Sequence, residues 1–260
     1  MLVATELIQS LCRHEVWSGL AWADTKARYR RTTIGPFWIT LSTGAMVGSV
    51  GIVYANLFGQ ELAHYLPFLT VGIILWTFIS TSVSEGCNVF IAAAGYIKSV
   101  PMLLATHVFR LLARNAIILA HNLVLIVALW LLFRWPVGPT VLLVLPGLLI
   151  DMVAICGVVL VLGILSARFR DIPQIVVALM QLLFLLTPIV WMTSALKSPD
   201  LALIVAWNPM YYLLEIVRGP LLGQSPPLTV WLIAVTLSLT SLAVGAALYQ
   251  KFARRVAYWL

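Results

Sequence analysis

The stretch that decides the fold is Lys26-Ala-Arg-Tyr-Arg-Arg-Thr-Thr-Ile-Gly-Pro-Phe-Trp38. It begins with four cations and ends with two aromatic rings, and no charged residue follows until Glu61. A cationic cluster crosses hydrocarbon only at high cost, whereas aromatic rings prefer the membrane interface. Gly35-Pro36 suits a helix start, because the first amides of a helix have no intrahelical partner. We therefore predict that a membrane-spanning helix begins here, with this end in the cytoplasm.

The composition is that of a membrane protein. Of 260 residues, 62% are hydrophobic and 10% are charged, with a mean hydropathy of +1.03, whereas soluble domains carry about 25% charged residues. The net charge of +7 is better explained by cations at a cytoplasmic membrane face than by binding of a nucleic acid. Lipid-facing segments make no phosphate contacts. The three cysteines are widely separated, so neither a disulfide nor a metal site is expected.

The apolar segments predict an all-α fold with six membrane-spanning helices. At about 20 residues per span, the expected spans are 35–58, 65–82, 102–133, 140–166, 172–190 and 228–249. This topology places all but three of the 16 Lys and Arg residues on one side, the exceptions being Arg134, Lys197 and Arg218. Cations concentrate on the cytoplasmic side, so both termini are expected to be cytoplasmic, in a bacterial inner membrane.

Three segments do not fit the spans. Residues 5–23 have helical apolar spacing and predict an amphipathic helix that lies in the membrane plane or packs as a soluble cap on a partner. Residues 85–101 predict a short cytoplasmic helix broken before Pro101, which needs the membrane interface or another protein to bury its apolar side. Residues 192–222 predict a re-entrant or interfacial hairpin at the outer face.

Polar residues within the spans are few. Asp151 and His121 are each expected at a depth of roughly 17 Å from the outer ends of adjacent antiparallel helices. They predict a structural contact, with a proton relay as the alternative. His107, Arg110 and Arg114 share one face near the inner end of the third span, where they either snorkel to the interface or line a cytoplasmic vestibule.

The ordered set of motifs resembles one transporter family. The motifs are 28–38, the 88–101 helix ending Ile-Lys-Ser-Val-Pro, Ser-Ala-Arg-Phe-Arg-Asp-Ile at 166–172, Thr-Pro-Ile-Val-Trp at 187–191 and Asn-Pro-Met-Tyr-Tyr at 208–212. Together they cover nearly the whole chain. The chain resembles the six-span ABC transporter permeases that export lipid-linked polysaccharides, such as O-antigen, capsule and teichoic acid.

The resemblance implies a role for each non-spanning segment. The 85–101 helix would be a coupling helix that docks into a separate nucleotide-binding subunit, which the 5–23 helix and the 167–171 loop would also approach. Residues 192–222 would form gate helices. The permease would be a homodimer that carries an undecaprenyl-linked glycan between its first, second and fifth spans. Because the chain has no Gly-x-x-x-x-Gly-Lys-Ser/Thr loop, ATP and Mg are expected on a partner chain, with no cofactor here.

Candidate site residues follow from these implied roles. Sugar faces stack on aromatic rings, and the candidates on the implied path are Trp38, Tyr54, Trp76 and Phe184; lipid belting or core packing is the alternative for each. The candidates for coupling to the ATPase are Glu85, Asn88, Lys98, Arg168, Arg170 and Asp171, with simple solvation as the alternative.

Two other functions remain open. The chain could be the permease of a drug or small-lipid exporter of the same broad class. It could instead be an intramembrane enzyme of lipid-linked sugar metabolism. The enzyme is disfavoured because the sequence has no His-Glu-x-x-His, no Gly-x-Ser-x-Gly and no paired acids. No catalytic or metal-binding residue is therefore expected.

Overall fold

The computed structural model describes residues 2–30, 34–35, 37–100, 102–135, 138–193 and 199–260. Arg31 and Pro36 of the junction at the first span lie outside the described residues. So do Pro101, at the end of the predicted coupling helix, and the 194–198 part of the predicted outer region, which includes Lys197.

The described residues form α-helices and one short 3-10 helix, without a β-strand. The helices are α1 (Leu2–Cys12), α2 (His14–Arg28), α3 (Phe37–Phe58), α4 (Leu62–Cys87), α5 (Val89–Ala92), α6 (Ala94–Ser99), α7 (Ala105–Phe133), α8 (Val144–Arg168), α9 (Ile172–Leu186), α10 (Pro199–Trp207), α11 (Pro209–Leu221) and α12 (Leu228–Trp259). The 3-10 helix (Pro139–Leu143) runs directly into α8. The predicted all-α class is therefore confirmed.

Five helical stretches in the described residues are long and apolar enough to cross a membrane, namely α3, α4, α7, the 3-10 helix with α8, and α12. Their lengths run from 22 to 32 residues. A helix rises 1.5 Å per residue, so even the shortest covers the roughly 30 Å of bilayer hydrocarbon. These stretches contain five of the six predicted spans. α12 extends to Trp259, well past the predicted end at 249.

The predicted fifth span, 172–190, is shorter than expected. Helix α9 has 15 residues and is thus about 22 Å long. It ends at Leu186, because Pro188 lacks an N–H and its ring disfavours a helical Thr187. Thr187 accordingly has extended angles, φ −91° and ψ 135°. The helix therefore ends at the Thr187-Pro188 motif, and the sixth membrane crossing stays a prediction.

The amino-terminal segment is two helices where the sequence predicted one over 5–23. The break is at Arg13, whose ψ of 49° is not helical. Helix α1 packs against α7 and α12, and α2 packs along α7. Trp17 of α2 lies against Phe109 of α7, with ring centroids 6.3 Å apart. Both amino-terminal helices therefore pack on the long helices of the same chain.

The predicted 85–101 helix is also divided. Helix α4 continues through Cys87, so Glu85 belongs to α4. Two short helices follow, α5 and α6, separated by the non-helical residue Ala93. Val89 and Phe90 of α5 are buried in the core, whereas α6 has no buried residue. The segment thus has one anchored part and one exposed part.

Helix α8 is the centre of the bundle and packs most closely against α12. A Cβ atom built at Gly157 would lie 2.3 Å from the carbonyl carbon of Ser241, and one built at Gly245 would lie 2.6 Å from the carbonyl oxygen of Gly157. Only glycine permits such a backbone approach, which is the usual use of small residues between membrane helices. Leu160 and Val159 beside this contact are fully buried.

Helices α4 and α8 run in the same direction. Gly86 near the end of α4 faces Val159, and Gly163 of α8 faces Val89 and Phe90 of α5. The carboxyl ends of α4 and α8 therefore meet at one end of the bundle, together with the start of α7. We call this the cation-rich end, after Arg28, Arg110, Arg114, Arg168 and Arg170.

Replacing Gly157 by Ala is expected to lower the free energy of unfolding by about 1–3 kcal/mol, because overpacking would push two backbones apart. The measurement is thermal unfolding of the purified protein in detergent. Gly19→Ala is the matched control, since no atom outside its own helix lies within 4 Å of a Cβ at that position and alanine favours a helix. Equal unfolding temperatures for the two variants would contradict the close α8–α12 contact.

Candidate functional site

An ion-pair network joins α2, α4 and α7 at the cation-rich end. Arg110 donates to both oxygens of Asp24, from Nε at 2.6 Å and from Nη2 at 2.5 Å. Arg114 donates to Glu85 at 2.5 Å and lies 3.8 Å from Asp24. Arg28 donates to the other oxygen of Glu85 at 2.8 Å. Two carboxylates from two helices are thus shared among three arginines.

Helical spacing explains how this network forms. Residues four apart lie on one face of a helix, so Asp24 and Arg28 face α7 and α4 together, as do Arg110 and Arg114 on α7. The pKa of Arg28 is raised: burial disfavours its charged form, but the hydrogen bond and the charge of Glu85 outweigh that burial. Charge-assisted pairs of this kind fix the position of α2 relative to two membrane-spanning helices.

A cavity of about 270 Å³ lies beside the network, and we call it the α2–α7 cavity. It is lined by Asp24, Glu85, Asn88, Val89, Ala92, Ala93, His107, Arg110, Leu111 and Arg114. His107 is buried, and neither ring nitrogen has a hydrogen-bond partner among the described residues. His107, Arg110 and Arg114, which the sequence placed on one face of this helix, thus line one cavity.

The residues predicted for coupling on the α4–α6 segment have different environments. Glu85 is held within the ion-pair network. Asn88 is exposed at the rim of the α2–α7 cavity, and Lys98 is exposed on α6. Only Asn88 and Lys98 therefore present free side chains to a partner, and the role of Glu85 in coupling stays a prediction.

The loop after α8 contains the other predicted coupling residues. Arg170 donates to the backbone carbonyl of Trp259 at 3.3 Å, and the guanidinium of Arg168 lies 5.7 Å from the Trp259 ring centre. Asp171 is exposed at the start of α9 and makes no side-chain capping bond. The loop is therefore attached to the end of α12, a contact that the sequence did not indicate.

The four aromatic residues predicted for a glycan path do not form one site. Trp76 and Phe184 are brought together, with ring centroids 5.9 Å apart, but Trp76 is only 7% exposed. Tyr54 packs against Phe58 at 5.5 Å, and Trp38 is 58% exposed near the start of α3. Within one chain Trp76 is a core residue, and Trp38 is the candidate most open to an external molecule.

The predicted contact between His121 and Asp151 does not form. His121 bonds through Nδ1 to the carbonyl of Ile117 at 2.7 Å, and its ring lies against Phe37 of α3. Asp151 is 1% exposed, and its Oδ1 has no hydrogen-bond partner among the described residues. The expected similar depth of the two residues was not enough to bring them together, because His121 is already engaged by its own helix and by α3.

Three polar side chains hold the segment that follows α9. Tyr65 of α4 donates to the carbonyl of Val190 at 2.5 Å, and Arg218 of α11 donates to the carbonyl of Pro188, also at 2.5 Å. The amide of Asn208 donates to the hydroxyl of Thr187 at 2.8 Å. Backbone carbonyls released where a helix breaks need partners in an apolar environment, and these side chains supply them.

Arg218 is the polar residue that sequence reasoning missed. It is 3% exposed, pairs with Glu215 at 2.5 Å and lies 4.6 Å from the Phe68 ring centre. The carbonyl of Pro188, to which Arg218 donates, belongs to the Thr-Pro-Ile-Val-Trp motif at 187–191 that the sequence analysis identified. An arginine within an apolar helix, opposite a proline-broken helix, is the signal that indicates such a contact.

The network predicts a measurable coupling between Glu85 and Arg114. Their side chains are 28% and 19% exposed, so we expect the Glu85→Gln and Arg114→Gln double-mutant cycle to give a coupling energy of about 1–2 kcal/mol. Thermal or denaturant unfolding of the four proteins measures it. A control cycle of Glu15→Gln with Arg114→Gln uses an exposed acid on α2 and should give none. Equal values in both cycles would refute the pairing.

Comparison with known proteins identifies the family of the chain. The sequence model of the ABC-2 type transporter family matches residues 15–222. The chain is similar to the O-antigen export system permease protein RfbA of Myxococcus xanthus, with 24% identity over 197 residues, which covers 75% of each chain. Permeases of this kind are transport subunits that work with a separate ATPase. The chain therefore belongs to the ABC-2 type transporter family of membrane proteins.

Proposed function

We propose that the chain is the permease subunit of an ATP-driven exporter of lipid-linked polysaccharide, of the O-antigen or capsule type, carried on undecaprenyl. The observation that carries this proposal is the similarity to an O-antigen export permease over three quarters of both chains. The exposed aromatic residues near the ends of α3, Trp38 and Phe58, suit a substrate whose sugar rings stack on flat surfaces.

The proposal includes six crossings of the inner membrane with both termini in the cytoplasm. Helix α9 and the non-helical segment 187–191 would together make the fifth crossing, supported by the hydrogen bonds from Tyr65 and Arg218. Non-helical backbone at membrane depth is tolerated where protein groups satisfy it. The cation-rich end would then face the cytoplasm, as the distribution of Lys and Arg favours.

The proposal also includes a second copy of the chain. Helix α3 has few buried residues, and its exposed apolar side chains include Leu41, Met46 and Ile52. Only Val176 and Met180 of α9 are buried. A homodimer that uses these two faces would place a path between two copies of α3, α4 and α9, with α10 and α11 at its outer mouth as gate helices.

The partner ATPase would bind the ATP and Mg and would dock at the cation-rich end. Two exposed parts of this chain are available there, α6 with Lys98 and the loop with Asp171. Val89 and Phe90 anchor the preceding helix α5 in the core. A movement imposed on α6 by the ATPase would therefore be passed to α4 and α8.

Transport is tested in proteoliposomes that contain the chain and its partner ATPase. We expect a fluorescently labelled undecaprenyl-linked glycan to cross the bilayer only with Mg-ATP and an active ATPase. The controls are an ATPase variant that cannot hydrolyse ATP, and a labelled phospholipid and a dye of similar charge. Movement of the phospholipid or the dye without movement of the glycan would show a drug or small-lipid exporter instead.

Docking is tested by reversing exposed charges. The double variant Lys98→Glu, Asp171→Lys is expected to lower ATP-driven transport and binding of the ATPase about tenfold, since 1.4 kcal/mol of lost interface energy corresponds to that factor. Its unfolding temperature should not change, because both side chains are exposed. Arg134→Glu, an exposed charge at the other end of α7, is the control. Unchanged ATPase binding in the double variant would exclude this surface.

A further inference from the structure

The α2–α7 cavity contains polar groups that neither the proposed path nor the proposed docking surface uses. His107 is 2% exposed and lines the cavity. Both of its ring nitrogens and the Nε of Arg114 are buried and have no hydrogen-bond partner among the described residues. Burying a polar group without a partner destabilises the folded protein, and a ligand in the cavity would remove that cost.

The charge around the cavity favours an anion. Arg110 and Arg114 of the lining balance the carboxylates of Asp24 and Glu85. Arg28, outside the lining, also binds Glu85, so the whole ion-pair network has one positive charge in excess. Both carboxylates already accept from arginines, whereas the Nε–H of Arg114 has no hydrogen-bond partner among the described residues. The polar groups of the lining that have no hydrogen-bond partner are therefore mainly donors. Donors suit an oxyanion better than a cation.

The position of the cavity narrows the choice of oxyanion. It lies where α4 ends at Cys87 and α7 begins at Ala105, beside the amphipathic segment that includes α2. This is the level at which an apolar helix meets the headgroup region of a bilayer, and phosphates of lipid headgroups lie there. The volume of about 270 Å³ is several times the roughly 30 Å³ of a water molecule.

We propose that the α2–α7 cavity binds a phosphate group, with His107 and Arg114 as its principal donors and Asn88 at the rim. The phosphate comes from an anionic lipid headgroup or from free inorganic phosphate. The ligand bridges α7 to the end of α4 and thereby reinforces the ion pairs that hold α2. This site is separate from the glycan path and does not depend on the proposed substrate.

The test measures thermal unfolding of the full-length permease in maltoside micelles free of phosphate. Either sodium phosphate or phosphatidylglycerol is added, and sodium chloride at matched ionic strength corrects for screening. A ligand that binds only the folded protein raises the unfolding temperature, here by about 2–4 °C for 1 kcal/mol of binding. A rise with phosphate identifies the free anion, and a rise with phosphatidylglycerol alone identifies the headgroup.

Variants separate this site from nonspecific lipid binding. His107→Leu and Asn88→Leu leave the ion pairs intact and should abolish the rise. His121→Leu is the matched control, a histidine of the same helix that lies against Phe37 instead, and it should keep the rise. The absence of a rise with either ligand in the unmodified protein would overturn the proposal. So would a rise of equal size in the His107 and His121 variants.

Discussion

The carboxylates of Asp24 and Glu85 bind three arginines of α2 and α7 where the apolar bundle meets its charged end. A partly buried charge is stabilised by a partner within the protein, because burial removes the water that would otherwise solvate it. Helix α2, the end of α4 and the start of α7 are thereby held as one unit. The short helix α5, which is anchored in the core beside α8, continues from that unit.

The same rule accounts for the opposite end of the bundle. Pro188 ends α9 and releases backbone carbonyls, and Arg218 and Tyr65 bind two of the carbonyls in the segment that follows. Arg218 is itself neutralised by Glu215. The two ends thus use arginines for different purposes, since one set pairs helices with each other and the other supports irregular backbone. Between them, the glycine contact of α8 with α12 provides a rigid centre.

Much of the fold could be read from apolar runs and charge. The extents of α3 and α7 lie close to the predicted segments. The site was less predictable. Glu85, a candidate for coupling, binds Arg28 and Arg114, which its own sequence segment did not indicate. Arg170 bonds to the end of α12, which no periodicity within either segment could show. Breaks at Arg13 and Ala93 carry no proline or glycine signal of their own.

The sequence by itself determined the membrane class, the order of the long helices and the separation of charge between their ends. Those properties follow from solvent transfer, which acts on each segment separately. Only the tertiary structure decided the partners: His121 with Phe37 rather than Asp151, and Trp76 with Phe184 in the core. Contacts between helices depend on how each helix is rotated about its axis and shifted along it. Depth and spacing within one chain segment do not specify either quantity.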